Sequence, residues 1–182
     1  MADRAVIGVL VAILDHWGTF GVLLAMSAFM FGYVVPKSKV PVFAEAAPEV
    51  PRKVLDEYFW TWTPNGARRF LSGIGPNGRR AYRRFYWSTD FWFPSLIASF
   101  ANLSLLLLAF SPASGLAWLS GLAFAGWLFD VLENVNHFRM AGTYPNLSPF
   151  SLRFGPLFTL MKWVFAVAPL VVALLGFALR LK

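Results

Sequence analysis

Hydrophobic positions in this chain fall into long unbroken runs rather than into alternating or one-faced patterns. A hydrocarbon core about 30 Å thick takes about 20 apolar helical residues to cross. Four runs meet that requirement: 17–35, 91–110, 115–135 and 155–179. The first ends at Pro36 and the second at the Ser111-Pro112 break. Ser114 is a plausible N-cap for the third, and Arg180 and Lys182 close the fourth. Residues 5–14 are also apolar but are cut off from the first run by Asp15-His16. They read either as an interfacial lead-in or as the early part of one long tilted helix. Acidic Asp15, with no small-x-small site after it, argues against a cleaved signal peptide. The pattern predicts a single all-α domain over 1–182, a polytopic transmembrane four-helix bundle whose second and third spans form a tight antiparallel hairpin.

Composition narrows the class further. Hydrophobic residues make up 58% and charged residues 14%, against about a quarter charged in average globular proteins. Mean hydropathy is +0.58. Too few charges remain to cover a soluble domain, and disorder requires low hydrophobicity. The absence of cysteine excludes disulfide scaffolds, thiol redox chemistry, Cys-ligated zinc and iron–sulfur clusters.

The net charge of +7 is one-sided. With four spans, Arg4, Arg180 and Lys182 share one side, and twelve basic residues from Lys37 to Arg153 share the other. By the positive-inside rule, the arm 36–90 and the loop 139–154 are cytoplasmic and both termini lie opposite, as in a bacterial inner-membrane protein. The charge therefore predicts membrane lipids with anionic headgroups as partners, at about 1 kcal/mol per basic residue, and no nucleic acid. Asn102-Leu-Ser104 and Asn146-Leu-Ser148 match the glycosylation pattern, but one lies inside a span and the other on the cytoplasmic side.

The arm begins with Pro36, Pro41, Pro48 and Pro51, which predict an extended tether. Pro51 can then open a helix over 52–60, with Val54, Leu55, Tyr58 and Phe59 on one face against the membrane surface. Thr63-Pro64 reads as a cap and first turn, with a stop at Gly73. Gly73, Gly75 and Gly78 spell a dinucleotide fingerprint, rejected because no strand precedes it and Pro76 offers no N–H. A helix from Gly78 places Arg79, Tyr82, Arg83 and Tyr86 on one face, with Arg84 beside them. Arginines among aromatic rings suit an interfacial belt or a seat for an anionic headgroup. Pro94 conflicts with the carbonyl of Asp90, which predicts a kink and a carboxylate at the membrane boundary.

Asp130, Glu133, Asn134 and His137 stand at i, i+3, i+4 and i+7, one helical face. Asp130 lies roughly 8 Å and Lys162 roughly 10 Å inside their spans by helical rise. Intramembrane charges face a bundle interior and pair, so Lys162 is expected to pair with Asp130 or Glu133. Three readings compete: a polar clasp joining spans three and four, a binding or reaction site, and a proton or ion path. In a reaction site Asp130, Glu133 and His137 are the candidate acid–base groups, and Asp90, Asn134, Lys162, Arg79, Tyr82, Arg83 and Arg84 the candidate ligand-binding groups. Asp130, Glu133 and His137 are also the only metal-ligand candidates, although D-x2-E-x3-H matches no familiar ligand pattern. The sequence names no cofactor and does not decide whether the protein is an enzyme. A site handling a lipid headgroup or small polar ligand is the preferred expectation. The alternatives are a non-catalytic accessory or assembly subunit with a membrane-protein partner, and a small ion- or proton-coupled transporter.

Gly75 through Gly78-Arg79 and Tyr82, Asp90 with Phe93-Pro94, Asp130-Val-Leu-Glu133-Asn134, Tyr144-Pro145 and Thr159-Leu-Met-Lys162-Trp163 together resemble a family of small four-span, mostly bacterial membrane proteins. The likeness spans roughly residues 75–165. It implies the four-span architecture and the same polar residues, and it implies no substrate.

Overall fold

The computed structural model describes residues 2–58, 62–90, 93–110 and 116–180, apart from the side chains at 2–5, 56, 58, 90, 116–117 and 180. No strand occurs among the described residues. Helix α1 (Ala2–Leu14) stops at Asp15-His16, and α2 (Trp17–Phe29) starts there because His16 adopts an extended backbone and its Nδ1 accepts the Gly18 N–H at 3.0 Å. The segment 5–14 is thus a helix of its own rather than the first turns of a longer one.

The chain does not leave the helix at Pro36, as its proline predicts. A π-helical turn (Met30–Val34) carries α2 into α3 (Val35–Lys39), and a 3-10 turn continues to Phe43. The Val35 N–H reaches back to the Met30 carbonyl. This wider i→i+5 coil sits where a proline ring would otherwise strike the preceding turn. The expected tether over 36–51 is therefore helical in its first half, to Phe43. The expected surface helix over 52–60 is also replaced. Only a 3-10 turn (Leu55–Tyr58) forms before residues 59–61, which lie outside the described residues.

Thr63 caps α4 (Pro64–Gly73), its hydroxyl accepting the Gly66 N–H at 3.1 Å. Gly75 then takes a positive φ of 69°, a conformation that side chains resist, and turns the chain into α5 (Gly75–Phe85). That helix begins three residues earlier than the sequence suggests. A π turn (Tyr86–Asp90) follows, and Pro94 occupies the first turn of α6 (Pro94–Ala109), where its missing N–H costs nothing. Residues 91–92, between the π turn and Pro94, lie outside the described residues, and with them the expected kink. The long helices α7 (Leu116–Thr143) and α8 (Pro149–Arg180) complete the chain. Both overrun the predicted spans 115–135 and 155–179.

Among the described residues, three helices are long and apolar enough to cross a membrane: Trp17–Phe43, Gly75–Ala109 and Pro149–Leu179. This is the pattern of a membrane protein. Four were expected, and α7, which carries the polar stripe, is not one of the three. Only 11% and 17% of the apolar windows of the first and last are buried, so both turn most of their hydrophobic surface outward.

Two apolar cores lie at opposite ends of α7 and α8. One joins Leu103, Leu106 and Leu107 of α6 to Leu119, Ala123 and Ala173. The other, a cap, packs arm residues Val42, Val54, Leu55, Phe70 and Ile74 against Tyr82, Tyr86, Met140 and Leu152. The apolar face of the arm thus closes on the protein rather than on a membrane surface. Val54 is 0% exposed and Leu55 1%. Between the cores runs a layer of buried polar side chains: Ser99, Asp130, Glu133, Asn134, His137 and Thr159.

Candidate functional site

The 3.6-residue period of α7 puts Asp130, Glu133, Asn134 and His137 on the face turned to α8, and Lys162 of α8 arrives opposite the two acids. Its Nζ lies 3.1 Å from Asp130 Oδ1 and 2.5 Å from Glu133 Oε2. The expected pairing is present, and it engages both carboxylates. Asp130 Oδ2 also accepts the Ser95 hydroxyl at 2.7 Å and the Asn134 amide at 3.1 Å. Glu133 Oε1 accepts the Thr159 hydroxyl, whose oxygen in turn accepts the Trp62 indole N–H at 3.1 Å. Hydrogen bonds on the remaining lone pairs are what make a buried ion pair tolerable.

Glycine opens room for this network. A Cβ on Gly155 would stand 2.4 Å from the Trp62 ring and 2.5 Å from Asn136 Nδ2. With hydrogen alone there, Trp62 reaches Thr159, and the Asn136 amide donates to the Ser151 carbonyl at 3.3 Å. Asn136, off the predicted stripe, is therefore an interhelical tie.

The stripe divides into two environments. Glu133, Asn134 and His137 are fully buried. His137 is boxed by Trp62, Tyr82 and Tyr86, with ring centroids 5.9, 6.0 and 4.9 Å away. Asp130 and Lys162, by contrast, line a cavity of about 530 Å³. Its walls come from α2–α3 (Phe31, Val35, Lys39), α6 (Ser95, Ala98, Asn102), α7 (Ala123, Trp127) and α8 (Lys162, Ala166), with Glu57 at the edge. Lys39 pairs with Glu57 at 2.9 Å.

The predicted arginine seat is dispersed. Arg79 donates to the Leu71 carbonyl at 2.8 Å and lies over Tyr144, 4.5 Å from the ring centre. Arg83 lies over Phe138 at 4.4 Å. Arg84 borders a separate surface groove of about 260 Å³ with Asn77 and Arg80. Tyr82 is buried in the cap, edge-on to Phe70 and Tyr86 at 5.2 and 4.7 Å, because α5 turns its rings toward α7. The Asp90 side chain lies outside the described residues. Asp130, Glu133 and His137 do not form a metal trio: no three His, Asp or Glu side chains among the described residues are grouped to hold an ion.

Three contributors escape a stripe-based reading: Trp62, Ser95 and Thr159. Thr159 stands one helical turn before Lys162, a spacing that could have flagged it. Trp62 comes from the arm and Ser95 from the start of α6, with no local signal linking either to α7. The site can hold a polar group between fixed ion pairs while an apolar remainder lies against alanines. In comparison with known proteins, no family model, no curated protein and no solved structure matches this chain.

Proposed function

We propose that the chain is a four-span integral membrane protein whose polar layer, near the cytoplasmic leaflet, binds or processes a lipid headgroup or a small polar ligand. In this reading α7 is the additional span, since its internal charges are met by Lys162 and by hydrogen bonds rather than by lipid. The observation that carries the reading is the cavity beside Asp130 and Lys162: a space of about 530 Å³ in the size range of small-molecule sites, with an ion pair in its wall. Shared packing of the arm with Met140 and Leu152 supports the arm and the 139–154 loop on one side, which the basic residues make cytoplasmic.

Purification of the full chain in mild detergent, followed by mass spectrometry of what is retained, tests this. A lipid or polar small molecule held by the native protein and lost on Ala98→Phe, which fills the cavity, is the expected result. Equal retention in both would remove the cavity from the function. A second reading, an accessory subunit of a membrane complex, is favoured by one observation: Glu133, Asn134 and His137 are enclosed, as a structural clasp requires. Under it a protein partner, and no lipid, is retained.

A further inference from the structure

The cavity beside Asp130 is graded in polarity along its length. Ser95 to Asn102 on α6 and Ala123 to Asp130 on α7 each span seven residues, about 10 Å of helix axis. Lys39, Asp130 and Lys162 all stand at the end nearer the cap, and Phe31, Ala123 and Ala166 at the far end, with Asn102, whose amide donates to the Ala166 carbonyl at 3.4 Å, as the polar side chain there. The far end is open because Ala98, Ala123, Gly126 and Ala166 supply little side chain to fill it. This is the shape of a slot for an apolar chain with a polar head.

The charges at the head end specify that head. Two ammonium groups, Lys39 and Lys162, and two carboxylates, Glu57 and Asp130, line the same cavity. Lys39 pairs with Glu57 at 2.9 Å, and Lys162 pairs with Asp130 at 3.1 Å and with the enclosed Glu133, outside the cavity wall, at 2.5 Å. A purely anionic head would bring its charge against two carboxylates, and a cationic head against two ammoniums, where weak screening makes like charges costly. A head carrying both signs can set its phosphate to a lysine and its amine to a carboxylate. A further group lies in the cavity wall. The Trp127 indole nitrogen is buried and makes no hydrogen bond among the described residues, and Trp127 lines this cavity. That nitrogen is itself closed off from the cavity space, so it marks an unfilled polar spot in the wall and does not select between heads.

We infer that the cavity takes one acyl chain of a zwitterionic, amine-bearing phospholipid, its head seated between the Lys39–Glu57 and Asp130–Lys162 pairs. This rests on the lipid-site reading above and adds the class of lipid. Glu57, whose side chain is 37% exposed, is the mouth residue that sets the sign of the entrance.

The test is a competition on the full chain in mild detergent. Phosphatidylethanolamine and phosphatidylglycerol with identical acyl chains are offered in equal amounts, and bound lipid is read by native mass spectrometry. The expected result is a preference for phosphatidylethanolamine of about tenfold, set by repulsion of the wrong head. Glu57→Lys, which makes the mouth cationic, should abolish or invert that preference. Ala98→Phe should retain neither lipid, with Ala166→Phe as the second cavity-filling variant and circular dichroism confirming that each is folded. Equal binding of the two lipids by the native chain, or no change in preference on Glu57→Lys, overturns the zwitterion inference while the lipid site stands. No lipid on the native chain, or undiminished lipid on both cavity-filling variants, overturns the site and the inference together.

Discussion

The indole of Trp62 donates to the hydroxyl of Thr159 at 3.1 Å across 97 residues of chain. This bond ties the cap to α8, because Thr159 itself donates to Glu133 and Glu133 holds Lys162. Trp62→Phe keeps most of the ring and removes the N–H. It should cost about 1 kcal/mol, the net worth of one hydrogen bond. Trp62→Ala should cost about 3–5 kcal/mol, since it also leaves a cavity. Denaturant titration in mild detergent with a circular-dichroism readout checks both. Equal losses for the two variants would show that the ring alone matters.

Lys162 stands between two carboxylates, so its removal leaves buried charge without its counterion. Lys162→Met should destabilise the fold by about 3–5 kcal/mol. Adding Asp130→Asn and Glu133→Gln to it should recover most of that loss, because the uncompensated charges go with it. The three-site variant measured against Lys162→Met in the same titration decides this. No recovery would mean that packing of the lysine stem, not its charge, holds the helices.

Gly155 separates Trp62 from α8 by the width of a hydrogen. Gly155→Ala sets a methyl group against the Trp62 ring and the Asn136 amide, and overpacking of this kind costs about 1–3 kcal/mol. The better helix propensity of alanine offsets at most about 1 kcal/mol of that. A stabilised variant would show that the Trp62 ring is free to move aside.

Topology can be read directly because the chain has no cysteine of its own. With Ser72→Cys, Asn146→Cys and Lys182→Cys made one at a time, an impermeant thiol reagent should reach the first two from the same side of the membrane. The third should be reached from the opposite side. Labelling of Ser72→Cys and Asn146→Cys from different faces would remove α6 or α7 as a span, and labelling of Asn146→Cys and Lys182→Cys from the same face would remove α8.

Much of the candidate site is visible in sequence because helical periodicity is local. Asp130, Glu133, Asn134 and His137 share a face whatever surrounds them, and one lysine in an apolar run must find a carboxylate. The arm is not visible in this way. Its prolines and its short apolar face at Val54 and Leu55 fit a membrane surface as well as a protein core. Only the presence of Phe70, Ile74, Tyr82 and Met140 at contact distance decided for the core. The setting of the arginines was not visible for a related reason: Arg79 and Arg83 fit phosphate by chemistry, and only the fold lays them over the rings of Tyr144 and Phe138.

By itself, then, the sequence determined the helical class, the membrane-length runs and the polar face of α7, all set by composition and by spacing within one helix. Tertiary structure alone decided that Glu133 and His137 are sealed while Asp130 and Lys162 open onto a cavity. It also decided that Trp62 and Ser95 join them. Those outcomes depend on which side chains from distant segments fill the space around α7, and alanines at 98, 123 and 166 leave that space empty on one flank only.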